Sequence, residues 1–279
     1  MWLTDSELVF SFLAGTPNKF CGVALVGSGS AAPTQRLTNH QLGMRVDTDD
    51  SWIQTRTGIT ARHVAGLNES LSKLSHSAAS QALHMAGWEP ESLDLIVLAT
   101  STPDDLFGSA PKVQSQLGAS NAVAFDLTAA CSGFLFALIT ASQYLQLGSM
   151  KRALVIGADQ LSSWVDWDDR RSCILFGDGA GAVALEATSS QNNDLLDFQL
   201  RTDGKRGDCL NLPKIEKLKP LIDGTSYQKG SFATIQMNGQ EVYKFAVKEV
   251  PLILENLLKK NQINPNQLDW LLLHQANQR

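Results

Sequence analysis

The sequence predicts an α/β protein with largely buried sheets, and three observations predict it. Short apolar runs ending in small or polar residues recur at 22–26, 93–99, 122–127, 153–158, 182–185 and 270–273. Apolar residues at helical spacing fill 71–86, 109–117, 132–147 and 241–259, so strand-like and helix-like segments alternate. The third observation is an internal repeat. Glu89-Pro-Glu-Ser-Leu-Asp-Leu-Ile-Val-Leu-Ala99 parallels Asn264-Pro-Asn-Gln-Leu-Asp-Trp-Leu-Leu-Leu-His274. Pro90 and Pro265, Leu93 and Leu268, Asp94 and Asp269, and Leu98 and Leu273 share one offset of 175 (265 − 90). Each copy follows an amphipathic helix. The repeated unit is therefore helix, proline turn and strand, as gene duplication would leave it.

The elements follow in order. Residues 1–20 read as an N-terminal extension. Asp5 and Glu7 stand where a secretory signal carries positive charge, and the segment is not rich in Arg or Ser. After the strand at 22–26, Gly27-Ser-Gly-Ser-Ala-Ala32 with Asp47 twenty residues on superficially meets a dinucleotide-binding pattern. Pro33 follows at once and 34–40 carries no apolar stripe, so the required helix does not open there. Trp52, Arg56 and Arg62 combine an indole with two guanidinium groups. Such a set can stack an adenine and pair with phosphates, or belong to an ordinary capped helix.

The strand at 122–127 feeds Cys131 and then a helix, with Phe134, Leu135, Leu138, Ile139, Ser142 and Leu145 at helical spacing. Gly177-Asp-Gly-Ala-Gly181 lacks the lysine of a phosphate cradle and reads as a bulged or tightly packed turn. The charged stretch 201–231 reads as a surface excursion.

Cys131 is the candidate nucleophile. A thiol at the start of a helix is favoured as thiolate by about 0.3–1 kcal/mol, at most about 0.7 of a pK unit. That increases the thiolate several-fold and leaves activation incomplete, so another group must supply the rest. His274-Gln-Ala-Asn277 follows the last apolar run. A Cys and a His, each at a strand end, suggest nucleophilic acyl chemistry. Cys21, Cys173 and Cys209 read as small core residues. There is no CxxC, so a zinc site or disulfide framework is not expected. His40, His63, His76 and His84 lack partners at metal-ligand spacing and read as surface or capping residues. The net charge of −5 gives no general attraction to nucleic acid or anionic lipid. No apolar run approaches the ~18 residues of a membrane span.

Taken together, the motifs resemble the 3-oxoacyl-(acyl-carrier-protein) synthase III family, the initiating condensing enzymes of fatty-acid synthesis. The matching stretches are 48–62 (TDDSWIQTRTGITAR), 100–107 (TSTPDDLF), 125–134 (FDLTAACSGF), 169–181 (DRRSCILFGDGAG), 237–243 (MNGQEVY) and 269–277 (DWLLLHQAN). The resemblance implies a thiolase fold, a duplicated five-layer αβαβα architecture with the second half incomplete. Its halves would cover 21–190 and 191–279. It also implies a homodimer in the cytoplasm, with acetyl-CoA as substrate, no tightly bound cofactor, and malonyl acyl carrier protein as partner.

By the same resemblance, Cys131 accepts the acetyl group and His274 assists decarboxylation. Trp52 and Arg170 sandwich the CoA adenine. Arg56, Thr48, Gly239, Tyr243, Ala276 and Asn277 line the CoA and pantetheine path. Phe107 reaches across a dimer to the acyl pocket, and Lys244, Lys248 and Arg279 form a docking patch for the acidic carrier. Arg171 stands where the family commonly has Gly, and so either grips a phosphate or crowds the CoA entrance. The family's catalytic Asn and glycine-rich segment would follow residue 279. On that ground the sequence reads as cut short, and the chain as written is expected to be unstable or catalytically feeble. Three other readings stay open: a related condensing enzyme of the polyketide-starter or hydroxymethylglutaryl-CoA type, a non-catalytic CoA-binding remnant, and a Cys–His hydrolase, which would leave Trp52, Arg56 and Arg170 without a role.

Overall fold

A computed structural model describes residues 20–278. The expected N-terminal extension therefore lies outside the described residues, apart from Phe20. The chain opens with β1 (Gly22–Ala31). The short strands β2 (Arg36–Thr38) and β3 (Ala61–His63) then enclose α1 (Asn39–Gly43) and α2 (Asp50–Thr57). Next come α3 (Leu71–Ala86), β4 (Leu95–Ala99), α4 (Ala110–Leu117), β5 (Val123–Leu127) and α5 (Gly133–Gln146). They are followed by β6 (Arg152–Gln160), α6 (Arg170–Cys173) and β7 (Asp178–Thr188). Five of these strands form one mixed sheet in the order β1-β7-β6-β4-β5. β4 runs parallel to both β5 and β6, while β7 is antiparallel to β6 and β1.

Helices cover both faces, which explains why the strand runs are continuously apolar rather than alternating. All five residues of β4 are buried. Its Ile96 and Leu98 face Leu74, Ala78 and Val113 of α3 and α4, together with Leu154 and Ile156 of β6. Its Leu95 and Val97 face Ala137, Ala141 and Leu145 of α5. Close approach of α3 to β1 explains the glycines that mimic a nucleotide motif. A Cβ at Gly27 or Gly29 would strike the carbonyl oxygen of Ala82 or Ala78. Both glycines lie inside β1, and no helix opens after them. The expected turn at 177–181 is also corrected. Asp178 onward is strand β7, and only Gly177 needs its missing side chain, because a Cβ there would sit 2.9 Å from the His63 carbonyl oxygen.

The remaining chain holds β8 (Leu210–Asn211), β9 (Lys217–Ile222), β10 (Thr225–Lys229), β11 (Gln236–Met237) and α7 (Gly239–Lys260). β9 and β10 make a wholly exposed hairpin within the expected surface excursion. The repeated proline turn is present twice. Pro90 and Pro265 each open a 3-10 turn closed by a backbone hydrogen bond, Leu93 N–H to Pro90 O at 3.1 Å and Leu268 N–H to Pro265 O at 3.2 Å. The expected strand at 270–273 does not form. A strand needs a hydrogen-bonded neighbour. β4 has β5 and β6, whereas 270–273 pairs with nothing in the sheets of the described residues, and Trp270 and Leu272 are 83% and 87% exposed. No helix among the described residues is long and apolar enough to cross a membrane.

Candidate active site

β5 delivers the chain to the C-terminal edge of the parallel strands, where it must reverse into α5. The turn is tight. Ala129 leaves strand geometry at φ −151° and ψ 35°, and Ala130 takes a left-handed φ of +47°. A left-handed alanine is strained by about 1–2 kcal/mol. Cys131 follows in the 3-10 turn Ala130–Ser132, which runs straight into α5. Two glycines let that helix seat closely on the strand ends. A Cβ at Gly133 would lie 3.2 Å from Ala99 Cβ, and one at Gly157 would lie 3.3 Å from Phe134.

The electrostatics of Cys131 differ from the expectation. The residue as a whole is exposed, yet the protein packed around its sulfur raises the thiol above its ordinary value. Burial is the largest cause, the negative charge of Asp159 adds to it, and a backbone N–H opposes both. The favourable helix end is outweighed, so the resting group is a thiol.

Asp159 is a site residue that sequence reasoning missed. It stands at the C-terminal end of β6. The apolar run at 153–158 draws attention to the strand, and the polar residue that ends it is easily read as mere punctuation. Other carboxylates nearby serve the frame. Asp126 on β5 accepts from the Ser109 and Ala110 amides at the start of α4, at 2.8 and 2.6 Å. Asp104 accepts from the Leu71 and Ser72 amides of α3, at 3.1 Å each.

A second cluster forms around Trp52. The aspartate-rich stretch before it is a helix cap, since Asp49 accepts from the Trp52 N–H at 2.7 Å. One turn further along α2, Arg56 places its guanidinium 4.3 Å from the Trp52 ring centroid. Arg170, at the start of α6, lies 5.3 Å from the same centroid and donates to the Asp47 carbonyl at 2.7 Å. Thr48 beside it has a buried hydroxyl with no hydrogen-bond partner among the described residues. Arg62 is not part of this cluster. It is buried and donates to Asn39 Oδ1 and the Ile174 carbonyl, so it braces the frame. Arg171 folds back on its own helix cap, with Nε 2.9 Å from Asp169 Oδ1 and Nη2 2.9 Å from Oδ2. It is committed to that carboxylate, which it holds below the usual range.

The other sequence candidates are scattered over the surface. Phe107 is 99% exposed. Gly239 and Tyr243 lie in the first turns of α7. Lys244 pairs with Glu241 at 2.7 Å and Lys248 with Glu249 at 3.8 Å. His274, Ala276 and Asn277 are exposed, and among the described residues no hydrogen bond joins His274 to Cys131. The segment carrying them runs beside α2, where the Gln278 N–H donates to the Thr57 carbonyl at 3.0 Å. Arg279 lies outside the described residues. No group of His, Cys, Asp and Glu among the described residues could hold a metal ion.

Comparison with known proteins identifies the family. The family model for 3-Oxoacyl-[acyl-carrier-protein (ACP)] synthase III matches residues 125–204, a span that contains both Cys131 and Arg170. A relative from Prochlorococcus marinus (strain MIT 9313), named Beta-ketoacyl-[acyl-carrier-protein] synthase III, is 70% identical over 267 residues. The alignment covers 96% of this chain and 79% of the relative. The crystal structure of 3-oxoacyl-[acyl-carrier-protein] synthase III from Aquifex aeolicus VF5 superposes with a TM-score of 0.81 at 40% identity, covering 92% of this chain and 77% of that one. The priming beta-ketosynthase of the R1128 polyketide pathway gives a TM-score of 0.79 at 27% identity, covering 95% and 78%. With the strand-to-helix cysteine and the indole–guanidinium cluster on one α/β frame, these likenesses show that the chain belongs to the 3-oxoacyl-[acyl-carrier-protein] synthase III family and carries its thiolase fold.

Proposed function

We propose that the chain catalyses the decarboxylative condensation of acetyl-CoA with malonyl acyl carrier protein, giving acetoacetyl carrier protein. The observation that carries the proposal is Cys131, held on a strained turn where β5 meets α5. Its sulfur, once deprotonated, attacks the acetyl thioester carbon, and CoA leaves as its thiol. Malonyl carrier protein enters next and loses CO2. The resulting carbanion attacks acetyl-Cys131 and regenerates the cysteine. His274 donates a hydrogen bond to the enolate oxygen formed on decarboxylation, and the Cys131 N–H stabilises the tetrahedral oxyanion. No tightly bound cofactor takes part.

Trp52 and Arg170 hold the CoA adenine, and Arg56 and the unpartnered Thr48 hydroxyl bind its polar groups. Gly239, Tyr243, Ala276 and Asn277 line the pantetheine path. Lys244, Lys248 and Arg279 receive the acidic carrier. The chain works as a homodimer in the cytoplasm. Two observations support the dimer: β5 is one of the two edge strands of the five-stranded sheet, and Phe107 is fully exposed beside it. The two halves, 21–190 and 191–279, divide the labour between nucleophile and decarboxylation.

The test is formation of acetoacetyl carrier protein from acetyl-CoA and malonyl carrier protein. Trp52→Ala should raise KM for acetyl-CoA about tenfold, as expected for the loss of one base stack, without changing the KM for the carrier. Unchanged KM for acetyl-CoA would remove the adenine role. A starter-type synthase is the second reading, favoured by the likeness to the R1128 enzyme. A panel of acyl-CoA donors separates the two, because that reading predicts a longer or branched donor in preference to acetyl.

A further inference from the structure

Arg62, in β3, is a buried cation without an anion. It is 4% exposed, and among the described residues no carboxylate pairs with it. Its Nε has no hydrogen-bond partner there either. Taking a charge out of water without a counter-ion is unfavourable, and an apolar side chain of similar volume would stabilise the frame more. Stability therefore does not account for the guanidinium. Its contacts supply another reason.

The fork joins two elements that meet nowhere else through buried side-chain hydrogen bonds in the described residues. Nη2 donates to the Ile174 carbonyl at 2.8 Å and to Asn39 Oδ1 at 2.9 Å, and Nη1 lies 3.4 Å from the Leu37 carbonyl. Ile174 closes α6, whose first residue is Arg170. Asn39 is fully buried and carries the connection onward. Its Nδ2 donates to Asp50 Oδ1 at 2.9 Å and to the Ile59 carbonyl at 2.7 Å. Asp50 is the first residue of α2, the helix of Trp52 and Arg56, and Gln54 Nε2 holds its second oxygen at 2.6 Å. One line of hydrogen bonds thus runs from the end of α6, through Arg62 and Asn39, to the start of α2. Ile53, Cys173 and Ile174 also pack these elements together. Apolar contact is non-directional, whereas hydrogen bonds constrain distance and angle. A planar fork can serve Ile174 and Asn39 at once, which a lysine ammonium on its flexible stem does not reproduce.

We propose that Arg62 and Asn39 are positioning residues for the nucleotide end of CoA: they hold α2 and α6 in the relative placement that sets the Trp52 ring opposite the Arg170 guanidinium. Neither touches the ligand. The inference rests on the reading of Trp52 and Arg170 as the adenine site.

The experiment is calorimetric titration with adenosine 3′,5′-bisphosphate, which carries the adenine and 3′-phosphate of CoA without the thiol arm. Arg62→Lys keeps the charge and loses the fork. It should weaken binding about fivefold, the lower end of what one base stack contributes. Iodoacetamide should alkylate Cys131 at the same rate in both chains. A purely structural brace would lower the melting temperature and leave the nucleotide affinity of the folded chain unchanged, and that result overturns the proposal. Affinity and Cys131 alkylation falling together would mean general damage and would overturn it as well. If Arg62→Lys fails to fold by circular dichroism, Asp50→Ala decides. Asp50 is exposed, and its loss cuts the line at α2. Removing a negative charge favours an anionic ligand, so weaker binding by Asp50→Ala reports lost placement, and unchanged or tighter binding overturns the proposal. No binding by the unsubstituted chain removes the adenine site itself, and this inference with it. Binding that the substitutions leave intact removes the inference alone.

Discussion

Three influences of unequal size meet at Cys131. The helix end favours the thiolate by at most about 1 kcal/mol. Burial of the sulfur and the charge of Asp159 oppose it and prevail. The proposed attack on the acetyl thioester then needs a base, or a change that substrate binding brings, to take the thiol proton. Ala130 is the second residue of note, because it takes a left-handed φ of +47° immediately before the cysteine. Replacing alanine by glycine in an ordinary helix loses about 0.5–1 kcal/mol. Ala130→Gly should instead leave the unfolding free energy unchanged or raise it by up to about 1 kcal/mol, because the strain is relieved. It should also slow acetylation, because the turn loosens. A loss of ordinary helix size in the denaturation curve would mean that Ala130 is not strained. Among single residues, Cys131 was legible from its place between an apolar run and a helical one. Asp159 was not, because its partners at 100–102 are about 58 positions away and only the parallel pairing of β4 with β6 brings them together.

At the level of elements, the apolar runs located the main strands because both faces of the sheet are covered and polar residues are excluded. β1 and β7 proved longer than their apolar cores, since strand pairing continues through Gly27–Ala31 and Asp178–Gly181 where the pattern is small-residue rather than apolar. The run at 270–273 had the right composition and no neighbour, so composition alone misjudged it. α7 was legible from its spacing, but nothing in the spacing says what it rests on. Its C-terminal end is tied to the preceding chain by Asp197, which pairs with Lys260 at 2.8 Å and accepts from Asn261 at 2.7 Å. The Lys260 hydrogen bond, then those from Asn261 and the Phe198 N–H, hold the Asp197 carboxyl down at about 2, against an ordinary 3.8. A folded value below the unfolded one means that this tether is complete above about pH 4 and is lost as pH falls toward 2. Carboxyl NMR should place its midpoint near 2 in the native chain. A midpoint near 3.8 would mean that the tether does not form in solution. Asp197→Asn should hasten hydrogen exchange in the last turn of α7 at neutral pH.

Across the whole molecule, one three-layer unit with α3 and α4 on one face of the sheet and α5 on the other accounts for nearly all of the buried core. The smaller cluster of Leu42, Ile53, Cys173 and Ile235 supports Trp52 and the indole–guanidinium group. α7 has no buried residue, and Trp270 to Leu273 are exposed, so this part of the chain contributes little to the core of the described residues. The repeated proline turns were legible because local sequence determines them, whereas the strand expected after the second turn does not form. The chain covers 79% of its Prochlorococcus relative, and residues 22–188 carry the five-stranded sheet with the cysteine at its edge. Cys131 should therefore accept an acyl group whatever residues 191–279 contribute to condensation. The most direct measurement is incubation of the folded chain with labelled acetyl-CoA, followed by peptide mass spectrometry. The account predicts one acetyl thioester, on Cys131, released when malonyl carrier protein is added. Label on another cysteine, or an unlabelled Cys131 in a folded chain, would contradict it.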